Sequence, residues 1–275
     1  MFRITNKEKL AEDITRINVE APLIAKKAQA GQFVVLIADE KGERIPLTLA
    51  DWDRSRGIIT LIFQEVGFTT RKLAAKNVGD LIGHILGPLG HPTQVQKFGR
   101  VICVGGGVGV AEIFPVSRAF KEAGNQVVGI IGARGRELLI LEKEMREVCY
   151  ELHITTDDGS YGRKGFVTDV LTEMLIPNSQ FPIPNLIYAI GPVVMMRAVS
   201  EITRPLKIKT IVSLNPIMVD ATGMCGSCRC VIGGETKFAC VDGPDFDAHL
   251  VDFQELEQRI NQFKDQEQKI SPVPF

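Results

Sequence analysis

The stretch Val101-Ile102-Cys103-Val104-Gly105-Gly106-Gly107-Val108-Gly109-Val110-Ala111 decides the fold of this chain. Its first four residues read as a short buried strand, the glycines as a tight turn, and residues 110 to 123 as a helix. Strand, glycine turn and helix in that order open a βαβ unit. Amide groups at the start of such a helix attract phosphate, and Gly107 and Gly109 carry no side chain to hold a diphosphate off the backbone. A glycine run also serves plain turns; its place at the first strand–helix junction is what points to a dinucleotide. The acidic residue expected roughly 20 positions on, to bind a ribose hydroxyl, is missing. The second strand ends instead at Gly132-Ala133-Arg134. Arg134 suits a 2′-phosphate, a diphosphate or bulk water, so physics alone leaves NAD and NADP both open.

Working outward, strands at 127–131, 151–155, 186–190 and 210–214 alternate with helices at 138–148, 167–175 and 194–202. This alternation predicts a parallel sheet over residues 99–217. An all-helical reading fails, because the strand segments are too short and too rich in Val and Ile. Ligands bind beyond the carboxyl ends of parallel strands. The polar loop Thr155-Thr156-Asp157-Asp158-Gly159-Ser160-Tyr161-Gly162 and the pair Gly191-Pro192 both fall at such ends.

Residues 1–98 read as β-rich. Residues 15–19 alternate, with Ile17 and Val19 on one face and Arg16 and Asn18 on the other, and residues 32–37 and 57–63 are apolar runs after turns. Short strands with one short helix, at 70–75, suggest a small antiparallel barrel. Arg44-Ile45-Pro46-Leu47-Thr48 and Gly67-Phe68-Thr69-Thr70 lie in it. A flat strand with a proline can lie against an isoalloxazine ring, and a Gly-x-Thr-Thr helix start can hold a diphosphate.

Residues 218–275 hold four of the six cysteines within Cys225–Cys240, followed by a polar helix over 253–264. That helix carries Phe253, Leu256, Ile260 and Phe263 on one stripe, a packing face or a docking face for a partner. Cys225 and Cys228 have the C-x2-C spacing that lets two thiolates meet at one metal centre. Asp220, Cys230 and Cys240 are the candidate remaining ligands. Asp220-x4-Cys225-x2-Cys228-x11-Cys240 matches the layout of two-iron ferredoxin sites, with aspartate in the first place. A structural zinc on Cys225, Cys228, Cys230 and Cys240 is the alternative. It leaves the x4 spacing unexplained and uses Cys230, crowded beside Cys228 in an expected strand. Cys103 and Cys149 sit inside apolar patterns and read as buried, inert thiols.

The chain has 275 residues, 45% of them apolar, with 32 basic and 33 acidic side chains and a formal net charge of -1. That balance gives no reason to expect nucleic acid or an anionic membrane as a partner. No apolar stretch reaches the roughly 18 residues of a membrane span. The residues after Met1 lack the apolar core of a signal peptide, so the expected location is the cytoplasm, where paired thiols read as metal or redox chemistry.

Barrel, nucleotide sheet and cysteine lobe in this order resemble the ferredoxin–NADP reductase superfamily. Within it the chain resembles the small (alpha) subunits of NADH-dependent reduced ferredoxin:NADP+ oxidoreductases, also described as sulfide dehydrogenase subunits. Their sisters are the electron-transfer subunits of dihydroorotate dehydrogenase B. The residues that carry the resemblance are Pro216 to Arg229 and Thr156 to Asp169. The dihydroorotate branch is expected to have cysteine where this chain has Asp220. The superfamily's Arg-x-Tyr-Ser pattern stands here as Ile45-Pro46-Leu47-Thr48, so stacking of a tyrosine on the flavin is not expected.

The resemblance implies an electron conduit with FAD, a [2Fe-2S] cluster and NAD(H) as substrate, and with no catalytic side chain beyond the cofactors. FAD is implied at Pro46, Leu47, Thr48, Gln64, Val66, Gly67, Thr69 and Thr70. NAD(H) is implied at Gly106, Gly107, Val108, Gly109, Ala133, Arg134, Asp157, Asp158, Gly159, Gly191 and Pro192. The cluster is implied at Asp220, Cys225, Cys228 and Cys240. The implied partner is a large FAD and iron–sulfur subunit that divides electrons from NADPH between ferredoxin and this chain. Two other functions compete: the dihydroorotate dehydrogenase B electron-transfer subunit, and a zinc-stabilised nucleotide-binding module.

Overall fold

The computed structural model describes residues 1–39, 42–176 and 181–263, and the chain divides into two units. One unit comprises residues 1–91, 215–244 and the chain from 252 onward; the other comprises residues 92–214 and 245–251.

The first unit holds the antiparallel sheet. Its strands are β1 (Phe2–Ala11), β2 (Ile14–Glu20), β3 (Phe33–Ile37), β4 (Arg44–Asp53), β5 (Ile58–Gln64), β6 (Leu81–Ile82) and β7 (His84–Leu89). The order is β6-β1-β2-β5-β4-β3-β7. The two edge strands are consecutive in the chain, so the sheet nearly closes into a barrel and hides most of its edges. Alternation sets the register: Ile17 and Val19 are fully buried beside Ile4, Leu49, Ile59 and Leu61. Helix α1 (Pro22–Lys27) starts on a proline, and Ala25 packs into the same core. Helix α2 (Phe68–Ala74) is pinned by Leu73, which is fully buried, and Lys7 Nζ donates to the carbonyls of Ala74 and Lys76 at its end.

The same unit carries a small lobe. Strands β14 (Arg229–Ile232) and β15 (Glu235–Phe238) form a hairpin, and helix α7 (Phe253–Asn261) packs on β14. Asp252 Oδ1 accepts from the Glu255 N–H and caps α7. Phe253 and Leu256 are buried, Ile260 is half-buried and Phe263 is exposed, so the apolar stripe packs only through its first half. The helix ends before the expected 264, and residue 264 lies outside the described residues.

The second unit is the parallel sheet. It comprises β8 (Arg100–Gly106), β9 (Gln126–Ala133), β10 (Glu151–Thr156), β11 (Arg163–Lys164), β12 (Leu186–Ile190), β13 (Thr210–Ser213) and β16 (Asp245–Asp247). The order is β11-β10-β9-β8-β12-β13-β16, all parallel except the last pair. All of β12 is buried, which requires cover on both faces. Helix α3 (Val110–Glu122) pairs with α4 (Glu142–Val148), and α5 (Val167–Leu175) pairs with α6 (Val193–Thr203).

One sequence expectation fails here. The helix placed at 138–148 begins only at Glu142, because Leu141 is left-handed with φ 56. A short 3-10 turn over Arg136–Leu138 precedes it. Burial of Ile140 and Leu141 had continued the apolar spacing backward past the true start. Cys103 is fully buried and Cys149 half-buried, and burial pushes both thiols up, Cys149 to about 12. None of the described helices is long and apolar enough to cross a membrane.

Candidate functional site

The parallel sheet changes direction of growth between β8 and β12, the switch point at which such sheets bind ligands. Four glycines stand there, and the structure separates their roles. A methyl group at Gly109 would meet the Ile190 carbonyl at 2.6 Å, so Gly109 is the residue over which β12 and the glycine turn close. Gly106 and Gly191 are crowded by Met195, at 2.6 Å from Sδ and 2.9 Å from Cε. Met195 sits one turn into α6, which begins after Pro192. Gly107 differs from all three: its φ is +58, and nothing lies within 4 Å of where a side chain would start. The turn therefore exposes its backbone at Gly107, directly ahead of α3, where an anion is favoured.

At the neighbouring strand ends, the Asp157 N–H donates to Ala133 O at 3.1 Å and the Asp158 N–H to Arg134 O at 3.2 Å. The loops after β9 and β10 thus form one surface carrying Ala133, Arg134, Asp157, Asp158 and Gly159. Ser160 donates to the Asp158 carboxylate through its N–H at 2.8 Å and its hydroxyl at 2.7 Å. These bonds hold the Asp158 carboxyl below the usual range. Sequence reading missed Arg136 at this edge. The Arg136 N–H donates to Ser160 Oγ at 2.9 Å, and its guanidinium lies 5.2 Å over the Tyr161 ring. The only signal in the sequence was a second arginine two positions after Arg134.

The barrel residues divide by face. Leu47 turns into the core with Ile45, while Pro46 and Thr48 alternate onto the opposite face, opposite Val35 and Phe33 of β3. Gln64 ends β5, and Val66, Gly67 and Phe68 are exposed at the turn into α2. The threonine hydroxyls are already engaged. Thr69 Oγ1 donates to Glu43 at 3.0 Å, and Thr70 Oγ1 accepts from the Gly67 N–H at 3.0 Å.

The cysteine loop, residues 219–228, is wound through positive φ at Ala221, Gly223 and Gly226. In this loop the Ser227 N–H points to Cys225 Sγ at 3.5 Å. The Cys228 and Cys240 sulfurs lie 3.2 Å apart and buried. Two thiolates on one tetrahedral metal atom stand about 3.7 Å apart for a 2.3 Å bond. Asp220 Oδ2 accepts from the Cys225 N–H at 2.8 Å, and Oδ1 accepts from Thr222. These bonds, Thr222 first, hold the Asp220 carboxyl below its usual range. Ser227 holds the Cys225 thiol low through its hydroxyl, 3.1 Å from Sγ. Burial pushes Cys240 up to about 12. Cys230 lies apart in β14, its Sγ facing the Lys237 carbonyl at 3.7 Å.

Among the described residues no three His, Cys, Asp or Glu side chains converge as a single metal ion would require. The four ligand candidates stand instead as two pairs, Asp220 with Cys225 and Cys228 with Cys240. That is how a two-iron centre divides four protein ligands, and the donor set fits it.

Residues 103–201 match the oxidoreductase NAD-binding domain, and residues 215–252 match the iron-sulfur cluster binding domain of dihydroorotate dehydrogenase B. An uncharacterised protein in the adh 3′ region of Clostridium beijerinckii is 47% identical over 93% of this chain and 88% of its own length. A Thermotoga maritima homologue of the dihydroorotate dehydrogenase B (NAD(+)) electron transfer subunit is 44% identical over 92% of this chain and 88% of its own. Among solved structures, a chain from work on flavin-based electron bifurcation by NADH-dependent reduced ferredoxin-NADP oxidoreductase superposes with a TM-score of 0.91. It is 41% identical and covers 98% of this chain and 96% of its own. With an NAD-binding sheet, a cysteine loop of iron–sulfur type and relatives at this identity along nearly its whole length, the chain belongs to the family of dihydroorotate dehydrogenase B electron transfer subunits and their homologues, an oxidoreductase family.

Proposed function

We propose that this chain is the FAD- and [2Fe-2S]-bearing small subunit of a bifurcating NADH-dependent reduced ferredoxin:NADP+ oxidoreductase. It would exchange hydride with NAD(H) and relay electrons to or from a large flavin and iron–sulfur subunit. The observation that carries the reading is the 41% identity to a chain from a bifurcating reductase over 98% of this one. The Asp220/Cys225 and Cys228/Cys240 pairing agrees with it.

When bound, FAD exchanges a hydride with nicotinamide and passes single electrons, and a [2Fe-2S] cluster accepts them one at a time. The chain's own residues bind and orient. Gly107 and Val108 present backbone to the dinucleotide diphosphate, while Gly106 and Gly109 let the turn close against Met195 and Ile190 beneath it, with Gly191 and Pro192 at the same strand ends. Ala133, Arg134, Asp157, Asp158 and Gly159 face its adenosine end. Pro46 and Thr48 offer a flat strand face to the flavin, Leu47 its backbone, and Gln64, Val66, Gly67, Thr69 and Thr70 the turn that follows. The exposed Val66 and Phe68 side chains, 63% and 48% accessible, are the kind of apolar surface that a ring covers. Asp220, Cys225, Cys228 and Cys240 hold the cluster. Around it Val219, Met224 and Val241 are exposed at 55%, 88% and 40%, an apolar collar suited to the large subunit.

A second reading, the electron-transfer subunit of dihydroorotate dehydrogenase B, is favoured by the iron–sulfur domain match at residues 215–252. Affinity purification of the chain from its own cells separates the two. The proposal expects a large flavoprotein with further iron–sulfur clusters, and NADPH oxidation that requires both ferredoxin and NAD+ as acceptors. A dihydroorotate-oxidising partner would overturn it.

A further inference from the structure

The matched iron–sulfur domain stops at residue 252, yet the helix that follows reaches back into the cysteine loop. Arg259 of α7 donates from Nη2 to the Ser227 carbonyl at 3.0 Å. Ser227 lies between Cys225 and Cys228 and joins most of that loop. Its Oγ accepts from the Val219 N–H at 3.1 Å, and its own N–H points to Cys225 Sγ at 3.5 Å. The carbonyl that Arg259 takes belongs to the peptide whose N–H is that of Cys228. A guanidinium on the carbonyl polarises the whole unit and strengthens that N–H as a donor.

The Arg259 side chain is 19% exposed and forms a loose i,i+4 ion pair with Glu255, 3.6 Å from Nε, which leaves Nε without a hydrogen bond. A helix arginine four residues after a glutamate normally reads as a solvated i,i+4 pair. Here the guanidinium also reaches inward, against the loop that carries three of the four ligand candidates.

We propose that Arg259 is a positioning residue for the iron–sulfur centre, clamping the Cys225–Cys228 loop through Ser227 and setting a fixed positive charge beside it. The inference rests on the cluster reading of the preceding subsection. A nearby cation favours the reduced, more negative state of a cluster and raises its midpoint potential. The clamp also slows opening of the loop and so the loss of iron.

The test is an EPR-monitored redox titration of the holoprotein, with iron release to a chelator followed in parallel, for wild type, Arg259→Lys, Arg259→Gln and Arg259→Leu. Arg259→Leu is expected to shift the reduction equilibrium about tenfold toward the oxidised state, ~59 mV for one electron, and to speed iron release. Arg259→Gln, which keeps a donor but no charge, should lower the potential with slower iron release than Arg259→Leu. Arg259→Lys should restore most of the potential. Unchanged potentials in all three variants, with iron release alone altered, would reduce Arg259 to a structural contact and overturn the proposal. A wild-type protein without a [2Fe-2S] signal would instead overturn the cluster reading beneath it.

Discussion

The glycine turn after β8 and the cysteine loop are both tight, glycine-bearing segments, but they are built on opposite plans. At the turn the shape is steric: Gly109 lies under the Ile190 carbonyl, Gly106 and Gly191 lie under Met195, and the strands beneath are buried on both faces. Nothing at Gly107 needs to move for a ligand to approach. In the loop the shape is polar: Asp220, Thr222, Cys225 and Ser227 bond to one another, and Arg259 holds the outside. The turn is set by packing, whereas the loop is held by groups that are also its ligand candidates. The first binds by leaving space, and the second must exchange internal hydrogen bonds for metal bonds.

The comparison can be broken first at the cysteines, where the effect is largest. Cys240→Ser should abolish the cluster outright, seen as loss of bound iron and of the EPR signal, while NADH binding to the sheet unit persists. Retention of the cluster would show that the Cys228/Cys240 pair is not its anchor.

The next test lies at the turn. Gly109→Ala forces a methyl group against the Ile190 carbonyl and should cost ~1–3 kcal/mol of stability in chemical denaturation. Gly107→Ala meets open space and pays mainly for its left-handed backbone, ~1–2 kcal/mol. Its larger effect should be weaker NADH binding, measured by calorimetry. If Gly107→Ala binds NADH as well as wild type does, the diphosphate lies elsewhere.

A third test uses pH to sharpen the contrast between packed and polar construction. Asp245 is half-buried in the sheet unit, with Tyr188 OH at 2.7 Å from Oδ1 and Thr93 Oγ1 at 2.7 Å from Oδ2. Burial outweighs those bonds and raises its carboxyl to about 6 from 3.8. Between those values the folded state binds more protons than the unfolded state, so stability falls as pH rises from about 4 to about 6. The loss is at most ~3 kcal/mol, from two pKa units. Asp245→Asn should flatten the curve; an equally steep curve in that variant would assign the slope to another group.

The smallest effect is expected at Cys230. Cys230→Ala should leave the EPR spectrum unchanged, whereas Asp220→Ala should give a labile cluster. The reverse pattern would make Cys230 the fourth ligand and Asp220 a turn cap.

The same contrast governs what was legible in the sequence. Residues 167–175 and 186–190 form the helix and strand expected of them, because buried segments bounded by Gly, Pro and Asn leave a periodic apolar trace. β1 was not anticipated: in Phe2–Ala11 only Ile4 is fully buried, and Thr, Asn, Lys and Glu hide the strand pattern. β16 is three residues long, and the hydrogen bonds of its Asp245 go to Thr93 and Tyr188, far away in sequence. At the site, the proposed ligand set Asp220, Cys225, Cys228 and Cys240 was readable because a shared metal centre would impose such a spacing. The different duties of Gly107 and Gly109 were not, since they depend on what β12 places overhead. Arg259 was invisible for the same reason, its partner Ser227 being 32 residues away.

In the proposed function one chain couples a nicotinamide site to a flavin and a cluster. Its most direct test is anaerobic titration of the purified holoprotein with NADH, recording flavin bleaching and the cluster's EPR signal together. NADH should reduce both, NADPH should do so far more slowly, and Gly107→Val should remove NADH reduction while dithionite still reduces both cofactors. A holoprotein whose flavin and cluster stay oxidised under NADH, or respond first to NADPH, would contradict it.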